Sequence, residues 1–544
     1  MKSTLLAAAM AGILGSILLP GCFDSNVLVT PPSIGSNEIG NDEPPAPSSP
    51  VNPVVHPVNV SCLPASGATT YDVGPDKTYE SLALVPWSQL HGGDVVRVFW
   101  KPTPYFEKVL LSASGSEGNP IIFCGVPGPA GDLPVLDGMN ATTASDTDFY
   151  SAAYTEQLGV IYIGKRAGQA YTHVPAHWDI RNFELRNAQP AHQFVDKTGV
   201  LRAYSTGAAG IYIHRGRNIA IRNVSIHSNG NGFFANTGAD SATFTQSILV
   251  EGSHIHGNGN AGSDRQHNVY TETAGITFQF NLFGPPREGA TGSNLKDRSA
   301  GTVIRFNSFE GGAHILDLVD CENAAPALCS EPTYANTYVY GNIFVNPPGN
   351  QGTGTYHGAT TPIHFGGDTG FSDRYRKDLH FFHNTFISIS NKSGTGARWR
   401  TVLFQLDTAG QKAYAHNNIL VSLPETAGSI ASELSLVNAG AGNASFGVNW
   451  ISPDWVPSAT NGVFTGTITG TENFISGPGR EPGLRSVVLG NVDAGLTPTS
   501  AAINRGEALP ALLSDHPVLY EFDDRKLRSR PQDGAGDLGA FEYL

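Results

Sequence analysis

The sequence predicts an all-β solenoid, a single-stranded right-handed parallel β-helix with an N-terminal cap. Three observations point there. Glycine is abundant, at 63 residues, while helical periodicity is scarce. Short runs with an asparagine before apolar residues recur: "IRNFEL" (Asn182), "IRNVSI" (Asn223), "FQFNLF" (Asn281), "IRFNSF" (Asn307), "VYGNIF" (Asn342), "FFHNTF" (Asn384) and "AHNNIL" (Asn418). Ser253 of "VEGSHI" holds the equivalent place. Between them falls a second set of runs, "NGFFANT", "HNVYTET", "SNLKDRS", "HILDLVD", "PIHFGGD" and "VLFQLD". An irregular repeat of roughly 20–50 residues, built only of strands and turns, is the mark of a solenoid. Each coil should give at least two short strands, stacked about 4.8 Å apart in parallel sheets. The asparagines can then hydrogen-bond as a ladder along the bends.

The elements follow in chain order. Residues 1–22, "MKSTLLAAAMAGILGSILLPGC", carry a lysine near the start, an apolar stretch from Leu5 to Leu19 and a small residue before a cysteine, the pattern of an export signal. The ending "LLPGC" resembles a bacterial lipobox, which implies cleavage and lipidation at Cys22; an ordinary secretory signal with an incidental cysteine is the alternative. Phe23 rather than aspartate follows, so the usual inner-membrane retention signal is missing and an outer-membrane lipoprotein of the cell envelope is expected. Residues 23–59, rich in Pro, Ser and Asn, read as a flexible linker that cannot offset its ordering entropy. Residues 60–544 form the β-helix domain. Its opening run "KTYESLALVPWSQL" (77–90) is the best helical candidate and an N-terminal cap for the first coil, while the C-terminal segment is expected to close the other end.

Four cysteines remain after Cys22. Export permits disulfides. Cys321 and Cys329 flank a short loop and are paired, leaving Cys62 for Cys124; zinc ligation is the rival, but no Cys-x2-Cys spacing is present. A net charge of −14 with 15% charged residues argues against nucleic-acid binding, which needs basic patches. A monomer is expected, tethered to the membrane only through its lipid.

Stacking the second set in register gathers a polar column. "HNVYTET" shows Asn268, Tyr270 and Glu272 on one face; "SNLKDRS" shows Asn294, Lys296 and Arg298; His314 and His364 follow on the next two coils. Arg265 and His267 lie in a flanking loop, and Arg305 on the next strand of its coil. A merely solvated strand face is the plain alternative, yet neighbouring coils carry no comparable cluster, and clustered titratable groups mark candidate sites.

The stretch "NLKDRSAGTVIRFNSF", with the opening and closing segments of the domain, resembles right-handed β-helix proteins of the pectin-lyase-like superfamily. Locally, over about 40 residues around 267–309, it is similar to polysaccharide lyases of the chondroitinase-B and alginate-lyase type. The resemblance implies an acidic polysaccharide as substrate and Ca2+ beside its carboxylate, with Asn268 and Glu272 as ligands. Asp297 stands where that family shows serine, and aligning Asn307 puts Arg298, not Lys296, nearest the family's catalytic lysine. The chemistry expected is β-elimination at a uronate. Arg298 would clamp the carboxylate bidentately. A neutral Lys296, its pKa lowered by Arg298, would take the adjacent proton. Tyr270 or His314 would protonate the leaving oxygen, with Arg265, His267, Asn294, Arg305 and His364 binding substrate. A hydrolase of the polygalacturonase type, using Asp317 and Asp320, and a non-catalytic surface glycan binder are the competing readings.

Overall fold

The coils turn through three stacked sheets, one more than the minimum of two strands per coil expected. The computed structural model describes residues 60–349, 360–395, 397–438, 440–459, 463–523, 527–532 and 534–543; the signal segment, Cys22 and the linker lie outside them. The first sheet stacks 13 strands, from Thr70–Val73 to Thr467–Thr469. The second and third stack 11 each, running from Val109–Leu111 to Val456–Ser458 and from Val135–Asp137 to Phe474–Ile475. Pairing within all three is parallel, so the chain is a right-handed parallel β-helix. The third-sheet strands are as short as Leu282–Phe283, too short to register as separate runs in the sequence. Among the described residues, no helix is long and apolar enough to cross a membrane.

The interior is a set of stacked apolar rungs. Phe283, Phe309 and Phe344 stack at centroid spacings of 4.5 and 5.2 Å, close to the strand spacing that stacking imposes. At the bend between the first and third sheets, the polypeptide turns through one left-handed residue per coil: Asn223, Gly252, Phe280, Phe306, Gly341, His383 and Asn417. The next residue forms the ladder, Ser253–Asn281–Asn307–Asn342–Asn384–Asn418–Asn449. Each backbone N–H and each asparagine amide donates to the next side-chain oxygen. Asn182 and Asn223 therefore stand one position ahead of the ladder, and they bond each other instead, at 2.8 Å. Asparagine suits both places, because it tolerates positive φ and also bonds along a stack.

The ends differ from expectation in form. Residues 77–90 cap the core without an α-helix, as two short 3-10 turns, Leu82–Leu84 and Trp87–Gln89. Leu82, Val85 and Leu90 are buried there, with Trp87 edge-on to Phe123 at 5.1 Å. The C-terminal segment does not simply close the last coil. It returns along the side of the solenoid, packing Leu538 against Ile419 and Trp450, and Phe522 beside Phe280 and Phe306. Both disulfides, Cys62–Cys124 and Cys321–Cys329, are formed, with Cα separations of 5.7 and 5.8 Å.

Candidate active site

The second sheet brings the polar runs into direct register. Tyr270 lies beside Lys296, Lys296 beside Asp317, Asp317 beside His364 and His364 beside Gln405, on five adjacent strands. Strand alternation turns Val269, Leu295, Leu316 and Ile363 inward and this column outward.

The column is a tightly paired network. Lys296 Nζ donates to Asp317 Oδ2 and Asp368 Oδ2, each at 2.6 Å. Burial opposes its charge most strongly, but Asp317 and Asp368 outweigh burial and the Arg298 repulsion, so its pKa stands above the ordinary lysine value. Lys296 is thus a held cation, not the neutral base expected of it. Arg298 is equally committed: Nε donates to the Tyr270 hydroxyl at 3.0 Å, Nη1 to the Asp320 carbonyl at 2.6 Å, and Nη2 to both Asp368 oxygens at 2.8 and 3.0 Å. Its fork already holds a carboxylate and has no bidentate face left for a substrate.

Tyr270 Oη also reaches Glu322 Oε2 at 3.4 Å. Burial pushes its pKa up to about 12, partly offset by Arg298 and Lys296. His267 lies edge-on to the Tyr270 ring at 5.4 Å. Burial, followed by Lys296, pushes it down to about 3, and its Nδ1 accepts the Ser293 N–H at 2.8 Å. It is therefore neutral with its proton on Nε2. His314 turns Nδ1 to the Thr361 carbonyl at 2.5 Å, and burial lowers its pKa. His364 sits between two carboxylates, Nδ1 on Asp317 Oδ1 at 2.8 Å and Nε2 on Asp407 Oδ2 at 3.0 Å. Burial opposes its charge, yet those bonds raise its pKa to about 9.

Other expected residues have different work. Asn268 and Asn294 are wholly buried in a second asparagine ladder that leads into this sheet, Asn229–Asn258–Asn268–Asn294. Glu272 accepts the backbone N–H groups of Glu322, Asn323 and Ala324 at 2.9, 3.1 and 3.0 Å and the Asn323 amide at 2.8 Å. It pins the disulfide loop. With its oxygens used by these donors and Asn268 spent on the ladder, the pair does not fit a calcium site. Arg305 belongs to the first sheet, bonded to Gln279 and to the Tyr340 hydroxyl, away from the column. Arg265 is exposed two residues ahead of His267, and its guanidinium has no partner among the described residues. Asp320 is buried and holds the turn at 368–369 through its bonds to the Asp368 and Thr369 N–H groups. Asp297 faces inward, where it pairs with Arg376 at 2.7 Å, both side chains fully buried.

Asp368, Glu322 and Asp407 escaped the sequence reading. They come from loops that follow the strands, and only the fold returns those loops to the column. One signal was present, the "GGD" of 366–368: a Cβ at Gly367 would strike the Tyr375 ring. The carboxylates are the accessible part of the network. The side chains of Asp368 and Glu322 are 35% and 39% exposed, against 11% and 5% for Lys296 and Arg298.

The outward line of the column is covered at one end. Along the same outward line Tyr270 is preceded by Phe234, Tyr212 and Tyr162. These rings stack, and Tyr212 and Tyr162 are buried beneath Phe149 and Leu158. On the other side the line continues half-exposed at Gln405.

No protein-family model matches the chain, and no curated protein matches its sequence. Among solved structures it is similar to pectate lyase Pel9A, at 14% identity and a TM-score of 0.44, over 90% of this chain and 100% of that one. It is also similar to an alginate lyase from Paenibacillus sp. str. FPU-7 (13%, TM-score 0.35, 74% and 98%). A third is GH136 lacto-N-biosidase from Eubacterium ramulus (11%, TM-score 0.42, 75% and 68%). The strand pairing itself defines the architecture, a parallel β-helix of three stacked sheets.

Proposed function

We propose that the protein is an exported, lipid-tethered polysaccharide lyase that shortens a uronate-containing chain by β-elimination, working from a chain end. The observation that carries this reading is the hydroxyl of the half-buried Tyr270, where the column meets its covered end, with the Arg298 Nε–H donating to it at 3.0 Å. That bond favours the phenolate, which takes the proton beside the uronate carboxylate. The electron pair left behind forms the C4=C5 double bond as the C4–O bond breaks, and the leaving oxygen takes the proton back from Tyr270. The proton leaves only if the carboxylate is neutralised, a role for the exposed Arg265. Phe234 stands one coil, about 4.8 Å, beyond Tyr270, so the covered side has room for about one sugar.

A glycoside hydrolase is the second reading, favoured by one observation. The half-exposed carboxylates of Asp368 and Glu322 share Arg298 Nη2, at 2.8 and 3.4 Å. That arrangement admits the roughly 5–5.5 Å spacing of a retaining pair. Incubating residues 60–544 with alginate, polygalacturonate and chondroitin sulfate separates the readings. A lyase releases products that absorb in the near ultraviolet, whereas new reducing ends without that absorbance support the hydrolase. Binding without either product leaves a glycan-binding surface.

A further inference from the structure

One group of side chains at the far edge of the column makes sense as more than an ion pair, whichever bond the protein cleaves. His314, Asp317 and His364 each offer one donor atom, and the three lie within 4.8 Å of one another. Their outer partners are specific. His364 faces Asp317 Oδ1 through Nδ1 and gives its remote Nε2 to Asp407. His314 gives its remote Nδ1 to the Thr361 carbonyl, which leaves the Nε2 lone pair available. The second oxygen of Asp317 is taken by Lys296 and Ser293. A metal-binding histidine almost always gives its remote N–H to a carboxylate or a backbone carbonyl, which fixes its tautomer and aims the lone pair. Here both histidines have such a partner. Charge points the same way: five carboxylates, Asp317, Asp320, Glu322, Asp368 and Asp407, contact a network whose permanent cations are Lys296 and Arg298.

We propose that His314 Nε2, His364 Nδ1 and Asp317 Oδ1 bind a divalent zinc-type ion. The ion takes the place of the proton between His364 and Asp317, and its fourth position is left to water or substrate. Two imidazoles and one carboxylate suit zinc, whereas calcium takes six to eight oxygens. Tetrahedral zinc sets such donors about 3.4 Å apart, so binding parts His364 Nδ1 and Asp317 Oδ1, now 2.8 Å apart, and brings His314 to the same spacing.

The test is a calorimetric titration of the chelator-stripped full chain with Zn2+, with Ca2+ as competitor. One equivalent of Zn2+ should bind, and excess Ca2+ should not displace it. His364→Ala and His314→Gln should each abolish binding. Asp407→Asn, which touches no ion, should weaken it by about 10–100-fold, a shift that a purely structural ion pair would not produce. Circular dichroism checks the fold of each variant. Should His364→Ala unfold, His314→Gln at the half-exposed edge decides. No Zn2+ uptake by the folded chain, displacement of Zn2+ by Ca2+, or undiminished uptake by His314→Gln overturns the proposal.

Discussion

Lys296 and Arg298 are two residues apart on one strand, and their neighbours decide what each can do. Asp317 and Asp368 keep Lys296 charged, and Asp368 fills the guanidinium fork of Arg298. Under the proposed lyase reading, proton transfer therefore falls to Tyr270. Because burial pushes that phenol up to about 12, the phenolate is a small fraction at neutral pH and grows about tenfold per pH unit below that value. The turnover rate should accordingly rise with pH through the alkaline range. Tyr270→Phe should slow turnover by roughly 10²–10⁴-fold, abolish this rise and leave polymer binding intact. Rate profiles of both proteins between neutral and alkaline pH check it; an unchanged profile in the variant would remove Tyr270 from the chemistry.

At the scale of the element, the asparagine ladder does more for the fold than any single strand. Asn307 Oδ1 accepts the backbone N–H and the amide of Asn281, while its own amide serves the Phe278 and Arg305 carbonyls and Asn342. Asn307→Ala leaves several buried groups unpaired, each costing about 1–3 kcal/mol. A loss of about 3 kcal/mol or more is expected in denaturant unfolding. Asn307→Ser should cost less, because Ser253 already fills a rung with its hydroxyl accepting the Val224 N–H. Equal losses in both variants would mean that packing, not ladder bonding, sets the cost. The ladder was legible because asparagine recurs in it. Its register was not: Asn182 and Asn223 belong to the left-handed bend position, and residue type alone cannot separate two adjacent places that favour the same side chain.

For the whole molecule, the aromatic stack from Tyr162 to Phe234 covers one end of the outward column, which under the lyase reading limits the substrate on that side. Cleavage should proceed from chain ends, so short products accumulate from the first minutes while viscosity falls slowly. Chromatography of a time course checks this, and an early ladder of mixed lengths would show cutting within the chain. Location belongs to the same scale. If the "LLPGC" segment is a lipobox, Cys22→Ser should move the protein out of the membrane fraction, read by fractionation and immunoblot; retention in membranes would exclude the lipid anchor.

The sequence by itself determined the solenoid, both disulfide pairings and the register of the second sheet. The solenoid and the register rest on local periodicity, the Cys321–Cys329 pairing on short spacing, and the Cys62–Cys124 pairing on elimination once the first is made. It also placed Tyr270, Lys296 and His364 on one line. It could not assign their partners. Asp368, Glu322 and Asp407 reach the column from loops whose paths only the stacked coils define, and those carboxylates turn the expected base into a fixed cation. Asp297, between Lys296 and Arg298 but turned to the opposite face of the strand, shows the same limit: it looks like part of the site in sequence and is an interior ion pair with Arg376. Strand alternation is readable from one segment, but the charge state of a buried group depends on every element packed against it, and that was decided by the tertiary structure.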